Sequence, residues 1–125
     1  MKKKLLLLVI TGLLVVSYLP AQNSRLLKAA DDSYEIGEKE YNREHYAEAA
    51  PDLEVVVENI AVTTDSRKYL FMRFEANIML IDIYFNHLNN LPAACRSLNC
   101  YIDDLARVKS LGILKTKDLF ILSIH

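Results

Sequence analysis

Apolar side chains recur every three or four positions through most of the chain, the spacing that places them on one face of a helix. The first such segment, residues 24–45, contains Leu26, Leu27, Ala30, Tyr34, Gly37 and Tyr41. A second segment, from about Ala47 to Ala61, contains Ala49, Ala50, Leu53, Val56, Val57 and Ile60. The two patterns predict a pair of helices joined by a tight polar connection near residues 42–45.

A third helix is predicted from about Arg67 to Leu88, after a segment rich in N-cap residue types at 62–66. It is apolar on nearly every side and is interrupted by four polar residues, Arg73, Glu75, Asn77 and Asp82. These polar groups argue against a membrane span and favour a central helix that contacts neighbours on two sides.

A fourth helix is predicted over residues 93–109, with Pro92 suited to its first turn. Its expected apolar face comprises Ala94, Leu98, Tyr101, Ile102, Leu105 and Val108. Gly112 is expected to end a turn, and Thr116 to cap a further helix over residues 116–125. That helix ends in the apolar run 119–124, which predicts an uncovered face and a chain that is part of a longer protein.

The N-terminus has a different pattern, with Lys2, Lys3 and Lys4 before an uncharged stretch from Leu5 to Leu19. This stretch has 15 residues, whereas a membrane-spanning helix needs about 20. We therefore predict a signal peptide over residues 1–21, cleaved after Ala21. The mature chain, residues 22–125, is expected to be secreted or periplasmic, and an uncleaved signal anchor is the alternative.

Composition limits which fold classes and which kinds of partner are possible. Cleavage removes three lysines and leaves 12 basic against 16 acidic side chains. Because the remaining basic residues are scattered, neither nucleic acid nor an anionic membrane is expected as the partner. About 104 residues suit one small domain. Only four helix-breaking residues remain in it, Gly37, Gly112, Pro51 and Pro92, so we predict an all-α fold made of antiparallel helical hairpins.

The two cysteines, Cys95 and Cys100, lie five positions apart on one predicted helix. That spacing turns their side chains toward different faces, so a disulfide between them is not expected. The preferred interpretation is two small core residues, and an intermolecular or redox role remains as the alternative.

No pattern in the chain indicates catalysis, a metal or a cofactor. The histidines, His45, His87 and His125, do not form a pair at helical spacing. The adjacent acids Asp31-Asp32 and Asp103-Asp104 diverge by about 100° on a helix, so they are expected to be solvated surface groups or partners of a helix N-terminal dipole and not an acid/base couple. We therefore predict no catalytic, cofactor-binding or metal-binding residue, and a protein that is not an enzyme.

The first helical pair contains a recognisable series: Ile36-Gly37, Tyr41, Tyr46-Ala47-Glu48-Ala49, Leu53 and Val56-Val57. The series resembles a tetratricopeptide repeat, in which a Leu-Gly pair and an aromatic residue precede an aromatic-x-x-Ala turn and an apolar second helix. Gly37 and Ala49 are the small residues expected to let the two helices approach closely. The resemblance covers residues 31–62.

A weaker second copy covers residues 78–108, through Ile81, Phe85, Leu91 to Ala94, Leu98 and Tyr101-Ile102. Asp82 takes the glycine position, and Ala49 and Ala94 are 45 residues apart against about 34 in the family. The structural alternative is a generic bundle of antiparallel helical hairpins.

The resemblance implies a binding surface on the concave side formed by the first helix of each repeat. Tyr34, Glu38, Tyr41 and Asn42 occupy the positions that line this side in the family. Family members that clamp a C-terminal carboxylate need Lys and Asn where this chain has Tyr34 and Glu38, so an acidic C-terminal peptide is a poor ligand. The expectation is a protein or peptide partner, and ordinary half-exposed helix residues are the alternative. A second hypothesis is the N-terminal scaffolding or sensory part of a larger envelope protein.

Overall fold

The computed structural model describes residues 24–64 and 66–111, and these ranges form four helices and no strand. Helix α1 covers 24–42, α2 Tyr46–Asn59, α3 Arg67–Asp82 and α4 Leu91–Leu111. The predicted all-α fold is confirmed. The predicted signal peptide, Gly112 and the helix 116–125 lie outside the described residues.

The connection between α1 and α2 is as short as the sequence predicts. Glu44 adopts a left-handed backbone with φ 64°, which is the usual conformation for ending a helix although glycine is the usual residue. The His45 N–H then donates to the Glu40 carbonyl at 2.8 Å. Pro51 lies inside α2 without breaking it, as its early position predicts.

Helix α3 begins as predicted but ends differently. Ser66 caps it by accepting a hydrogen bond from the Tyr69 N–H at 3.4 Å. The helical segment continues to His87, close to the predicted end at Leu88, but residues Ile83–His87 form a π-helical turn in place of α-helix. The Leu88 N–H reaches back five residues to the Ile83 carbonyl at 2.8 Å, and Asn89, with φ 50°, turns the chain toward α4.

Helix α4 starts two residues earlier than predicted, at Leu91, with Pro92 in its first turn. The Asn90 side chain accepts a hydrogen bond from the Ala93 N–H at 3.2 Å. This bond satisfies one of the donors that a helix start leaves unpaired.

The helices pack as two hairpins. In the first, a Cβ built on Gly37 of α1 would lie 2.9 Å from Leu53 Cδ2 of α2, so the glycine allows the close approach that the sequence predicts. In the second, α3 and α4 are antiparallel, since Arg73 contacts Asp104 and Asn77 contacts Cys100. Helix α3 is central, because its buried residues pack with both α2 and α4. Within the described ranges no helix has both the length and the apolarity needed to cross a membrane.

Arg73 joins three helices in the second half of the molecule. Its Nε donates to Asp104 Oδ2 of α4 at 2.6 Å, and its Nη1 donates to the Ile60 carbonyl after α2 at 2.6 Å. A further bond runs from Nη1 to the Val57 carbonyl. The guanidinium therefore satisfies carbonyls that the end of α2 leaves free.

Three expectations for α4 were wrong. Leu98 and Ile102 are 43% and 52% exposed, because the buried face is turned toward Ala94, Ser97 and Val108. Asp104 is buried rather than solvated, since Arg73 supplies the charge that makes its burial tolerable. Cys95 is exposed, and only Cys100 is half-buried; both are free thiols.

Candidate functional site

A concavity of about 250 Å³ lies between α1 and α3. It is lined by Tyr34, Glu38, Tyr41, Asn42, Glu75, Ile78 and Met79. The first four are the residues that the repeat resemblance implied, and the structure brings all of them to this one surface. We refer to it as the α1–α3 concavity.

Helical spacing explains how each helix presents its residues. On α1, Tyr34, Glu38 and Tyr41 are separated by four and three positions, so they share one face. On α3, Ile78 and Met79 lie three and four positions after Glu75, so both are its neighbours on the helix surface. The concavity forms where these two faces meet.

Hydrogen bonds between tyrosines and carboxylates fix the register of the two helices. Tyr34 donates to Glu75, and Tyr41 donates to Asp82 Oδ2 at 2.6 Å. Each partner in the second bond lies seven residues, about two helical turns, beyond its counterpart in the first. Because residue numbers rise together on both helices, α1 and α3 run parallel.

A third bond of the same kind extends this series toward the start of both helices. The Tyr69 hydroxyl of α3 donates to Asp31 Oδ2 of α1 at 2.9 Å, and Lys68 Nζ lies 3.6 Å from the other oxygen of that carboxylate. The contact between α1 and α3 is therefore polar as well as apolar along its length.

The protonation of the site follows from these contacts. Burial, followed by hydrogen bonding to Glu75 and Glu38, raises the pKa of Tyr34 well above its ordinary value. Burial and the bond to Asp82 raise the pKa of Tyr41 to about 12. Burial works to raise the pKa of the Asp82 carboxyl, but hydrogen bonds from Tyr41 and Asn86 and the neighbouring His87 lower it overall. At neutral pH the phenols are therefore neutral donors beside a charged Asp82.

Aromatic contacts border the concavity at the C-terminal end of α1. Tyr41 and Tyr46 meet edge to face with ring centroids 5.8 Å apart, and Tyr46 stacks on His87 at 3.7 Å. His87 Nε2 lies 3.5 Å from Asp82 Oδ2. The aromatic rings thus connect α1, α2 and the π-helical turn at one edge of the site.

Sequence reasoning missed the α3 side of the concavity, Glu75, Ile78 and Met79. One signal was present: Tyr34 and Tyr41 are seven residues apart, and so are Glu75 and Asp82. Matching periods of donors and acceptors on two helices would have indicated a parallel pairing.

The lining residues offer binding chemistry. Two phenols, one amide and two carboxylates provide hydrogen-bonding groups, while Ile78 and Met79 provide an apolar floor. In the part of the chain that the structure describes, no group of three or more His, Cys, Asp or Glu side chains could hold a metal ion.

Comparison with known protein families, with characterised proteins and with solved structures found no match for the chain.

Proposed function

We propose that the chain is an exported, non-enzymatic interaction module that binds a protein or peptide in the α1–α3 concavity. The principal observation is that Tyr34, Glu38, Tyr41 and Asn42, expected to contact a partner, line one concave surface. Tyrosine side chains offer large, rigid contact areas with a polar tip, which suits peptide recognition.

The packing of the helices supports a tetratricopeptide-type architecture in this proposal. Two antiparallel hairpins follow one another, and their first helices, α1 and α3, run parallel with the concavity between them. The close contact of Gly37 with Leu53 accounts for the glycine of the repeat pattern.

The proposal that the chain is exported rests on its N-terminal sequence. The basic residues Lys2 to Lys4 and the uncharged stretch to Leu19 are typical of a signal peptide. N-terminal sequencing of the chain expressed in a bacterial host should begin at Gln22. A sequence that begins at Met1 would contradict cleavage and would favour the anchor.

Peptide selection tests the binding function. Random peptides displayed on phage are selected against the chain from Gln22 onward, and the enriched peptides are measured against two variants. Asn42→Trp places a large ring at the edge of the concavity and should abolish binding. Asn99→Trp adds the same ring at an exposed position of α4 and should leave binding unchanged. Equal binding to both variants would contradict the proposed site.

A second candidate function is the N-terminal scaffolding part of a larger envelope protein. It is favoured by an exposed apolar stripe on α4, where Leu91, Leu98 and Ile102 are 58%, 43% and 52% exposed. Such stripes are typical of surfaces that pack against another element. If residues 22–125 form a monomer that melts cooperatively in solution, this second candidate is wrong; if they melt cooperatively only when extended past His125, it is supported.

A further inference from the structure

We infer that the α1–α3 concavity accepts a basic side chain, Lys or Arg, from a peptide segment. This inference rests on the proposed binding function and specifies the chemistry of the partner.

The lining of the concavity is acidic. The lining contains two carboxylates, Glu38 and Glu75, and no Lys, Arg or His side chain. Both carboxylates lie near the Tyr34 hydroxyl, whose pKa they raise together with burial. A hydroxyl donates only one hydrogen, whereas two carboxylates accept several. The Tyr34 hydroxyl therefore cannot satisfy both carboxylates, and no lining residue supplies a cation to balance their negative charge.

The Asp82 carboxylate adds to this charge at one end of the site. Burial alone would raise the pKa of Asp82, but hydrogen bonds from Tyr41 and Asn86 and the nearby His87 outweigh it, so the pKa is lowered. Because the Tyr41 phenol donates to it at 2.6 Å, Asp82 stays ionised beside the concavity. An incoming cation at this end of the concavity would thus lie near the negative charge of Asp82 as well as that of the two glutamates, whereas Lys68 pairs with Asp31 farther along the contact.

The lining also combines apolar and aromatic surface with open space. Ile78 and Met79 supply apolar surface, and Tyr34 and Tyr41 supply aromatic rings, around about 250 Å³ of open space. Lys and Arg combine an aliphatic stem with a charged head, so the stem can cover the apolar surface while the head reaches the carboxylates. Aromatic rings also attract cations, which favours the same side chains over neutral ones.

Matched peptides test the inference. The probes are the pentapeptide acetyl-Ala-Leu-Lys-Leu-Ala-amide and the same peptide with norleucine or glutamate in place of lysine. Norleucine keeps the aliphatic stem and removes the charge. Binding is followed by NMR chemical-shift changes of the Tyr34 and Tyr41 rings in the chain from Gln22 onward.

Three variants test whether the carboxylates of the lining attract the lysine side chain. Glu38→Gln and Glu75→Gln keep the size of each side chain, and the glutamine oxygen at position 75 can still accept from Tyr34. Glu58→Gln removes an exposed carboxylate on α2 and is the matched control. Circular dichroism verifies that all three variants fold.

We expect the lysine peptide to bind about fivefold more tightly than the norleucine peptide, and the glutamate peptide to bind more weakly still. Glu38→Gln and Glu75→Gln should each weaken lysine binding about threefold, and Glu58→Gln should have no effect. Added salt should reduce the preference for lysine, because half-exposed charges are screened.

Two results would overturn the inference. Equal affinity for the lysine and norleucine peptides at Tyr34 and Tyr41 would leave the proposed binding site intact but exclude selection by charge. The absence of ring shifts with every probe would also exclude it. In that case the selection experiment with Asn42→Trp decides separately whether the proposed function fails as well.

Discussion

Replacing Arg73 with methionine is the most informative test of how the helices are held together. The Arg73 and Asp104 side chains are only 13% and 8% exposed, so the pair lies largely out of solvent. Arg73→Met keeps an unbranched chain of similar length but leaves the Asp104 carboxylate without its cation. It also removes the donor to the Ile60 carbonyl.

The size of the effect follows from this burial. Removing one partner of a buried ion pair costs about 3–5 kcal/mol, because the remaining charge stays desolvated. A domain of this size has a total stability of about 5–15 kcal/mol. Arg73→Met should therefore lower the free energy of unfolding by at least about 3 kcal/mol and the melting temperature by about 15 °C.

Urea unfolding followed by circular dichroism measures the change, with two comparison variants. The double variant Arg73→Met/Asp104→Leu removes both charges and should recover about 2 kcal/mol relative to Arg73→Met alone. Arg43→Met removes an arginine that is 56% exposed and 3.9 Å from Glu40, and should cost less than about 0.5 kcal/mol. If Arg73→Met costs no more than Arg43→Met, or if the double variant shows no recovery, the assigned role of the pair is wrong.

Three further predictions concern the first hairpin and the tyrosines. Gly37→Ala should destabilise the protein by about 1 kcal/mol in urea unfolding, because overpacking against the buried Leu53, 2.9 Å from the new Cβ, exceeds the gain in helix propensity; a stabilised variant would contradict the close contact. Glu44→Gly should raise the unfolding free energy by about 0.5 kcal/mol, since glycine relieves the left-handed φ of 64°, and a loss would show that the Glu44 side chain contributes more than its backbone costs. Burial and a hydrogen bond to a carboxylate, Asp82 for Tyr41 and Glu54 for Tyr84, raise the folded-state pKa of both phenols from 10.0 to about 12. The unfolded chain therefore loses these protons first. Their contribution to stability is present in full below pH 10 and is lost as the pH rises toward 12. Tyrosinate absorbance and circular dichroism should therefore change together in that window, and ordinary titration with the helices intact would contradict the assignment.

Local sequence patterns predicted the helices well because helix formation depends on spacing, caps and breakers within a few residues. The start of α3 follows from Ser66 in this way, and Pro92 places the start of α4 to within two residues. The π-helical turn Ile83–His87 was not predictable by the same reasoning, since residues 83–87 contain no glycine or proline that would mark an irregularity.

The spacing of apolar residues on α4 did not predict which face of the helix is buried. Leu98 and Ile102 are exposed although they fit the apolar period, whereas Asp104 is buried. The reason is the pairing of Asp104 with Arg73, 31 positions away, which no local pattern contains.

Only the α1 side of the candidate site could be predicted, because local patterns contain no information on contacts between distant helices. Tyr34 and Tyr41 on α1 followed from their place in the repeat pattern. Glu75 and Ile78 on α3 depend on the register between two helices that are far apart in sequence, and tertiary packing sets this register.

Intermolecular nuclear Overhauser effects show whether a peptide binds between α1 and α3, as we propose. A peptide enriched by selection is added to the isotope-labelled chain from Gln22 onward, and its contacts to assigned side chains are measured. We predict contacts to the rings of Tyr34 and Tyr41 and to the methyl groups of Ile78. Contacts confined to Leu98 and Ile102 on the exposed stripe of α4 would show that the peptide binds outside the α1–α3 concavity.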